Sequence, residues 1–593
     1  MSHLRRSRAR VIVPTVAAAL MLVGCGGLPT DDSPRPGRAV QGQPRQVIQV
    51  RPEGPRQDAT AEQIVRGFLL ANVSFNDSHE VARAYLTDSL ATSWVPTSRI
   101  LVTQGDPELT TTREGLVQAQ ASVLGELDAE GTLTQQPPST RRTDEFELVQ
   151  VEGEWRISAF PDDFGLWLTE NAFEAQFRTA SVNYLAPGED VFVPETRWFS
   201  RDEGLPTALA RALLAPVPEY LQGAVRTGAT EETSLVSSAV PVDLSSGTAT
   251  VNLGGPGLTE DPDQVRALYA QFTSTLTQAA GVRQVELQMN GQPVTYPGLD
   301  ATKVSMEDLG HEETLPGPGY AVLRVNESLT AVDPTHYALR DLPRERQEEL
   351  DLPTVANRWQ GLAMNTEATQ YAAVDADRSV VWRRDEGERL ELEDLGEDLI
   401  DPSFGPHGTL WLAGRSDGVS RVWAIDTRQD ASQPVRAVDI DWLEPGTEIE
   451  AFEVAPDGQR AAIVLRRNGR QSLALTGIVR DADDQPAGLT PPLRIAGTLE
   501  SVVSVSWASQ ESLAVLGQAS EDDEDGENTP YQLPVGGWLR PLQPEPDATE
   551  LLGVPADDGF DLFLVTEEGR VFTPEGAGWY PYRNGDDLIV PNG

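Results

Sequence analysis

The spacing of apolar residues predicts helices followed by strands in the first folded part of the chain. Residues 60–69 open with the capping box Thr60-Ala61-Glu62-Gln63 and then place their apolar side chains on one helical face. A second short helix is expected over residues 81–86. Residues 146–151 and 154–157 read as two strands joined by a tight turn. This order is typical of small α+β modules of the NTF2-like kind.

The second folded part mixes helical and strand periods. A helix is expected over residues 205–213 and a strand over residues 248–253. Asp261-Pro262-Asp263-Gln264 supplies an N-cap, a proline at the first helical position and a capping-box glutamine for the next helix. A strand over residues 285–289 runs into Asn290-Gly291, a strong hairpin signal. These elements predict an α+β sandwich with its helices on one face of a sheet.

From about residue 320 onward the pattern is almost entirely that of strands, with a recurring turn before each apolar strand. The turns stand at residues 404–408, 454–458, 507–510 and 554–558. A spacing of about 50 residues is that of a four-stranded propeller blade. The sequence therefore predicts a β-propeller of about five to seven blades. A pair of β-sandwiches is the alternative.

Length and charge narrow the class of protein. The chain has 593 residues, which suggests about three or four domains. It carries 92 acidic against 46 basic residues, a net charge of −46, and Lys303 is its single lysine. Such a chain repels phosphate backbones and anionic headgroups, so no nucleic-acid partner and no flat adsorption on a bilayer are expected.

The N-terminus has the form of a bacterial lipoprotein signal. Four arginines between residues 5 and 10 precede an apolar run over residues 11–23, and Leu22-Val23-Gly24 leads into Cys25, the single cysteine. The run is shorter than the roughly 20 residues of a spanning helix. We expect cleavage after Gly24 and acylation of Cys25 by palmitate-type chains. An ordinary signal peptide that ends near a cysteine is the alternative. Residues 26–57 would form a tether with a coil dimension of roughly 30 Å.

One segment matches an enzyme motif. Gly414-Arg415-Ser416-Asp417-Gly418 fits the hydrolase pattern Gly-x-Ser-x-Gly, which acts only on a sharp turn from a strand into a helix. Here it joins two expected strands, and Arg467-Asn468-Gly469 at the equivalent place has no serine. We interpret it as a hairpin turn.

The remaining candidate chemistry favours no site. The acidic run at residues 521–526 has Gln532 at the twelfth position, so the closing carboxylate of a calcium loop is missing. The histidines are too scattered for zinc, namely His3, His79, His311, His336 and His407. No phosphate or dinucleotide loop is present in the sequence. We therefore predict a protein that is not an enzyme, with no catalytic residue, metal or cofactor. A glycosidase pair among the acids stays open.

Tryptophans of the strand-rich part could line a binding face, although blade packing is expected for most of them. They are Trp359, Trp382, Trp411, Trp423, Trp442, Trp507, Trp538 and Trp579.

The order of several segments resembles the actinobacterial LpqB lipoprotein family, which combines a lipobox, an N-terminal module, a GerMN domain and a C-terminal propeller. The segments that carry the resemblance are Gly153-Glu154-Trp155-Arg156-Ile157, residues 208–216, Val251-Asn252-Leu253, residues 267–290, Arg358-Trp359-Gln360-Gly361-Leu362-Ala363 and Val479-Arg480-Asp481.

The resemblance implies domain bounds and a role. The expected parts are a signal at 1–24, a lipidated tether at 25–57, an N-terminal α+β module at 58–165, a GerMN domain at 166–300 and a propeller at 318–593. The implied role is a lipoprotein on the extracytoplasmic face of the cell membrane that binds the extracellular domain of a sensor histidine kinase. That kinase would belong to an Mtr-type two-component system acting in envelope and division signalling. A cell-wall glycan-binding or glycan-hydrolysing surface protein is the alternative.

Overall fold

The computed structural model describes residues 53–592, and residues 51–593 form one compact unit. The description omits residues 74–78, 138, 189–190, 202–203, 259, 311–318, 335–339, 386–387, 407, 429–434, 520–527, 557–558 and 577. The lipidation signal, with Leu22, Val23, Gly24 and Cys25, lies outside the described residues.

The N-terminal domain packs short helices against one sheet. Its helices are α1 (Ala61–Ala71), α2 (Glu80–Arg83), α3 (Asp88–Ser93) and α4 (Glu170–Gln176). Its strands are β1 (Arg99–Thr103), β2 (Glu108–Arg113), β3 (Leu116–Asp128), β4 (Leu133–Gln135), β5 (Arg141–Val151), β6 (Glu154–Ala159) and β7 (Leu166–Thr169). The sheet order is β6-β5-β3-β1-β7, with β2 and β4 also paired to β3.

Local signals place the first helix and the hairpin of this domain correctly. The capping box at α1 is formed, because Thr60 and Gln63 each accept the other's backbone N–H. Apolar residues on one face of α1 are buried, among them Ile64 and Phe68. Strands β5 and β6 pair around a turn in which Glu152 has a φ of 53°. The helix and the hairpin expected from the sequence are confirmed, and the NTF2-like likeness stays a prediction.

The middle domain joins a long hairpin to a mixed sheet. Its helices are α5 (Leu205–Leu214), α6 (Pro262–Leu276) and α7 (Met306–Leu309). Its strands are β8 (Phe177–Leu185), β9 (Phe192–Ser200), β10 (Ser234–Leu235), β11 (Val242–Asp243), β12 (Thr248–Gly254), β13 (Gln284–Met289), β14 (Gln292–Pro293) and β15 (Lys303–Val304). Strands β12 and β13 are parallel, and α6 connects them.

The N-terminus of α6 forms as the sequence predicts, except for the role of one residue. The carboxylate of Asp261 caps α6 by accepting the N–H of Asp263. Gln264 donates its side-chain amide to the carbonyl of Gly228, 3.1 Å away. The capping-box role expected for Gln264 is therefore wrong: its side chain is directed to the Gly228 carbonyl instead of back to the N-cap N–H.

The described part of the second half forms a propeller of six sheets. In each blade the strands are given from the axis outward: blade 1 has β40 (Asp587–Ile589), β16 (Ala321–Val325), β17 (Ser328–Asp333) and β18 (Arg340–Asp341), and blade 2 has β19 (Trp359–Met364), β20 (Gln370–Asp375), β21 (Val381–Asp385) and β22 (Glu388–Leu392). Blade 3 has β23 (Ser403–Gly405), β24 (Thr409–Ser416), β25 (Val419–Asp426) and β26 (Arg436–Val438), and blade 4 has β27 (Glu448–Val454), β28 (Arg460–Arg467), β29 (Arg470–Arg480), and both β30 (Pro486–Leu489) and β31 (Leu493–Ile495). Blade 5 has β32 (Ser501–Ser509), β33 (Ser512–Gln518), β34 (Thr529–Pro534) and β35 (Arg540–Pro541), and blade 6 has β36 (Ala548–Ala556), β37 (Gly559–Thr566), β38 (Arg570–Glu575) and β39 (Gly578–Asn584). We number them blades 1 to 6 in this order; helix α8 (Arg344–Leu350) lies between blades 1 and 2.

The last strand closes the ring. Strand β40 pairs with β16, with Ile589 opposite Val322, so blade 1 is built from both ends of the propeller segment. Apolar side chains of blades 6 and 1 share one buried cluster, which includes Val554 and Leu323. Closure removes the exposed edges of the ring. The propeller is confirmed, and the β-sandwich alternative is wrong.

Two strands lie just past the domain bounds expected from the sequence but pair with the sheet of the domain before them. Strand β7 pairs in parallel with β1 of the first sheet, so that sheet extends to Thr169. Strand β15 pairs with β13 and takes the middle sheet to Val304.

Candidate functional site: the axis of the propeller

Four acidic side chains from four different blades surround the propeller axis. They are Asp587 on β40, Asp401 just before β23, Glu453 on β27 and Glu550 on β36. Asp401 contributes to the pKa shifts of the other three, and the charges of Asp587 and Glu453 also act on Glu550. The ring arises because the innermost strands of all the blades converge on one line.

The protein surroundings keep the axial carboxyls protonated over an unusual pH range. Removal from bulk water raises the pKa of Glu453 to about 8, although Ser403 donates a hydrogen bond of 3.1 Å to its Oε2 atom. The pKa of Glu550 also rises to about 8, because it is removed from water and faces Asp401, Asp587 and Glu453. Both side chains are half-buried. Perturbed carboxyls in a confined space are typical of functional sites.

Two arginines balance part of this charge: Arg378 pairs with Asp401 at 2.5 Å, and Arg324 pairs with Asp587. Arg324 of β16 is buried and lies 3.1 Å from Asp587, and it also donates to the carbonyl of Trp359 at 2.8 Å. Loss of water nevertheless raises the pKa of Asp587. The axis therefore keeps an excess of acidic groups.

The chain end crosses the axis at the side where the innermost strands finish. The backbone N–H of Asn592 donates to the carbonyl of Met364 in blade 2, and its side-chain amide donates to the carbonyl of Val454 in blade 4, each at 3.1 Å. This bridge narrows the axis next to Glu453. The arrangement suits proton uptake or attraction of a cationic group more than entry of a bulky substrate.

The part of the chain that the structure describes contains no cluster of three His, Cys, Asp or Glu side chains placed to hold a metal ion. His79 is buried beside Trp94, with ring centroids 5.9 Å apart. The other histidines and the acidic run at 521–526 lie outside the described residues. For those segments, the expectation that they bind no metal remains a prediction from the sequence.

Ser416 lies at the end of β24, directly before a two-residue turn. Ser416 pairs with Val419, and the turn residues Asp417 and Gly418 have φ values of 54° and 75°. Asn468 and Gly469 adopt nearly the same angles in the next blade. A hydrolase elbow needs a helix after the turn, and here a strand follows. The interpretation of this motif as a hairpin turn is confirmed.

Most of the propeller tryptophans pack between blades. Those with less than a tenth of their surface exposed are Trp359, Trp382, Trp411, Trp423 and Trp507. Trp442 and Trp579 are partly buried and donate their indole N–H groups to the carbonyls of Leu489 and Gln543. Trp538 reaches the N-terminal domain. The expectation that packing dominates is confirmed for these residues.

A narrow depression lies at the edge of the N-terminal sheet. It is lined by an ion-pair network in which Arg99 contacts Glu126 and Asp163, and Arg142 contacts Asp144 at 2.6 Å. The depression is far smaller than the clefts of about 300 Å³ or more that hold small molecules. The ion pairs here stabilise the sheet edge and form no substrate pocket.

Sequence reasoning did not find Glu453, Glu550 or the fully buried Arg460. Nothing local separates the two glutamates from the other acids of the chain. For Arg460, a signal was available: it follows the turn Pro456-Asp457-Gly458 at the position where an apolar strand begins. A charge at the start of a core strand requires a buried partner.

The sequence matches models of known protein families along most of its folded part. Family models match three successive segments: the N-terminal domain of lipoprotein LpqB at residues 54–174, a domain described as "Sporulation and spore germination" at 181–295, and the LpqB beta-propeller domain at 352–591.

Whole-chain relatives carry the name Lipoprotein LpqB. The protein from Cutibacterium acnes is 26% identical over 96% of both chains. That from Streptomyces coelicolor is 26% identical over 99% of this chain and 98% of its own, and that from Mycolicibacterium smegmatis is 26% identical over 85% and 86%. A solved TolB from Acinetobacter baumannii aligns with a TM-score of 0.30 at 14% identity, covering 54% of this chain and 86% of its own. Among the described helices, none is long and apolar enough to cross a membrane.

Proposed function

Because this chain belongs to the LpqB lipoprotein family, we propose that it is anchored to the outer face of the plasma membrane through Cys25 and binds the extracellular domain of a sensor histidine kinase. The observation that carries the proposal is the order of the parts. A lipoprotein signal is followed by the LpqB N-terminal domain, the germination-type domain and the LpqB propeller.

The anchor rests on the chemistry of the N-terminus. Cys25 is the single cysteine and follows an apolar run that is too short to span a bilayer. One acyl chain holds a protein only marginally, whereas two give stable attachment. A diacylglycerol group on Cys25 meets that requirement. The tether at residues 26–57 would let the folded domains stand clear of the membrane.

Membrane confinement makes a weak partner interaction sufficient. Two proteins held on one membrane meet at a high effective concentration, so a modest affinity still gives substantial occupancy. The net charge of −46 favours a partner surface with basic residues, since complementary charge speeds association and suppresses wrong partners. An Mtr-type kinase in envelope and division signalling is the partner implied by the family.

Titration of the two extracellular parts on a biosensor tests the partner. The chain from Gly26 onward is passed over the immobilised kinase domain, with the extracellular domain of an unrelated sensor kinase as the control surface. We expect saturable binding to the Mtr-type domain alone, and weaker binding as salt is added. Absence of saturable binding up to millimolar concentration would remove the kinase partner.

The second candidate is a cell-wall glycan hydrolase, which would need two carboxyl groups. Glu453 and Glu550 both have a raised pKa, and the charge of Glu453 contributes to the shift at Glu550. The bridge made by Asn592 next to Glu453 counts against a bulky substrate. Purified peptidoglycan is the substrate to test, with release of reducing ends as the readout. Activity that disappears in both Glu453→Gln and Glu550→Gln would promote this candidate. We expect no release above the level of the buffer.

A further inference from the structure

The three folded domains meet along contacts that leave no room for a side chain. Five glycines stand where an added Cβ atom would lie 3.0 Å or less from an atom of another domain: Gly125, Gly131, Gly477, Gly497 and Gly536. Distances below about 3.0 Å are not tolerated between a Cβ atom and backbone. Such close approach is one of the uses of glycine.

Gly477 of blade 4 receives a turn of the middle domain. A Cβ atom there would lie 2.5 Å from the carbonyl oxygen of Tyr220 and 2.8 Å from Ala224. The hydroxyl of Thr490, beside Gly477 in the same blade, donates to the Tyr220 carbonyl at 2.6 Å. The propeller therefore satisfies a backbone acceptor of its neighbour.

Gly536 of blade 5 receives the β9 strand. Its φ is 71°, and a Cβ atom would lie 2.5 Å from the carbonyl oxygen of Thr196. Its own carbonyl accepts the indole N–H of Trp198 at 2.8 Å. The backbone N–H of Trp198 in turn donates to the carbonyl of Gly131 in the N-terminal domain, also at 2.8 Å. A single residue thus connects all three domains.

Trp538 joins the propeller directly to the N-terminal domain. Its ring would come within 2.8 Å of a Cβ atom on Gly125 in β3. It also packs edge-on against Phe173, with ring centroids 6.0 Å apart.

Arg460 of blade 4 is fully buried at the boundary with the middle domain. Its guanidinium pairs with Asp457 at 2.6 Å, donates to the carbonyl of Gln510 in blade 5 at 2.5 Å and to the carbonyl of Pro194 in the middle domain at 2.7 Å. It also lies over the ring of Trp507, 5.3 Å from the centroid. Directed donors of this kind fix an orientation.

Apolar burial continues through the same region. One cluster of buried side chains runs from Leu209 and Leu268 of the middle domain to Val464 and Val515 of the propeller. Interfaces between domains that move are usually more polar and separate from the two cores. A shared core is expected where the domains stay together.

From these contacts we propose that the N-terminal, middle and propeller domains are locked as one rigid body, with the glycine contacts and Arg460 as the lock. The partner-binding surface then keeps a fixed orientation relative to Glu53, whose carbonyl accepts the hydroxyl of Tyr85 where the folded part begins. The fixed geometry of the three domains does not depend on the kinase partner.

Distance measurement between paired spin labels tests the lock. The chain from Gly26 onward has no cysteine, so exposed Leu244→Cys in the middle domain and exposed Tyr580→Cys in the propeller provide one defined pair. Leu70→Cys provides a third point in the N-terminal domain. We expect one narrow distance distribution for every pair. A broad or multiple distribution in this background would overturn the proposal.

Glycine substitutions test which contacts form the lock. Gly536→Ala and Gly477→Ala should broaden the distributions, whereas their controls should not. The control for Gly536 is Gly469→Ala, which has nearly the same φ of 76° but no neighbour within 4 Å, and the control for Gly477 is Gly578→Ala, which also faces open space. If the spin-label distance distributions stay narrow in both Gly536→Ala and Gly477→Ala, these glycines do not hold the domains together. If Gly536→Ala or Gly477→Ala fails to fold, amide hydrogen exchange of the unsubstituted protein is the test. Locked domains should protect the amides of β9 as strongly as those of the blade 4 strands.

Discussion

Arg460 donates a hydrogen bond of 2.7 Å from its Nη1 atom to the carbonyl oxygen of Pro194, across the boundary between the propeller and the middle domain. Both Arg460 and its ion-pair partner Asp457 are completely buried. Burial of an ion pair is costly in itself, and such pairs often contribute specificity more than net stability. Here the arginine also donates to two backbone carbonyls, the buried one of Pro194 and the partly buried one of Gln510.

Arg460→Met should lower the free energy of unfolding by about 3–5 kcal/mol, because the fully buried Asp457 and the buried Pro194 carbonyl lose their partner. The control is Arg467→Met in the same strand, whose side chain is 45% exposed in its pair with Glu444. That change should stay within about 0.5 kcal/mol. Urea unfolding of both variants gives the comparison, and equal midpoints would contradict the role assigned to Arg460.

The axial carboxyls predict that stability falls as pH rises through the neutral range. Glu453 and Glu550 have a pKa of about 8 in the folded chain against 4.5 for an ordinary glutamate. Between these values the folded state holds protons that the unfolded state has lost, so the free energy of unfolding decreases from about pH 4.5 to pH 8. The raised pKa of Asp587 acts in the same direction.

Melting temperatures from pH 5 to pH 9 measure this effect. Glu453→Gln and Glu550→Gln should each flatten the decline, because glutamine resembles the protonated acid. Exposed Glu393→Gln is the control and should leave the slope unchanged. A parent protein whose melting temperature rises steadily from pH 5 to pH 8 would refute the assignment.

Ser416→Ala should leave the melting temperature and every measured activity nearly unchanged. The serine ends a strand before an exposed turn, and substitutions of this kind usually change stability by less than about 0.5 kcal/mol. Thermal unfolding and an ester-hydrolysis assay are the measurements. A hydrolytic activity that Ser416→Ala abolishes would make this serine a nucleophile.

Cys25→Ala should release the protein from the membrane, because the thiol is the expected acylation site. Fractionation of cells into membrane and soluble pools is the measurement, and globomycin treatment of the parent strain gives an independent block of the same processing step. Tight membrane association in the variant would show that another part of the chain holds it there.

Local elements were predictable because their signals are local. The capping box at Thr60, the hairpin turn after Val151 and the N-cap at Asp261 each depend on a few adjacent residues, and the structure has all three. The recurring turns at about 50 residues also predicted the propeller, since each blade repeats one supersecondary unit. Gln264 shows the limit, because its amide binds an acceptor that is distant in sequence.

The sequence by itself thus determined the order of helices and strands and the propeller class, because both depend on local periods and recurring turns. Tertiary structure alone decided the number of described blades, the carboxyl ring and the contacts between domains. Closure depends on β40 pairing with β16, at opposite ends of the propeller segment. The group of axial carboxyls forms because the innermost segments of four blades approach one axis. Arg460 is satisfied by the Pro194 carbonyl of another domain. Such relationships join residues far apart in sequence, where neither periodicity nor turn chemistry carries a signal.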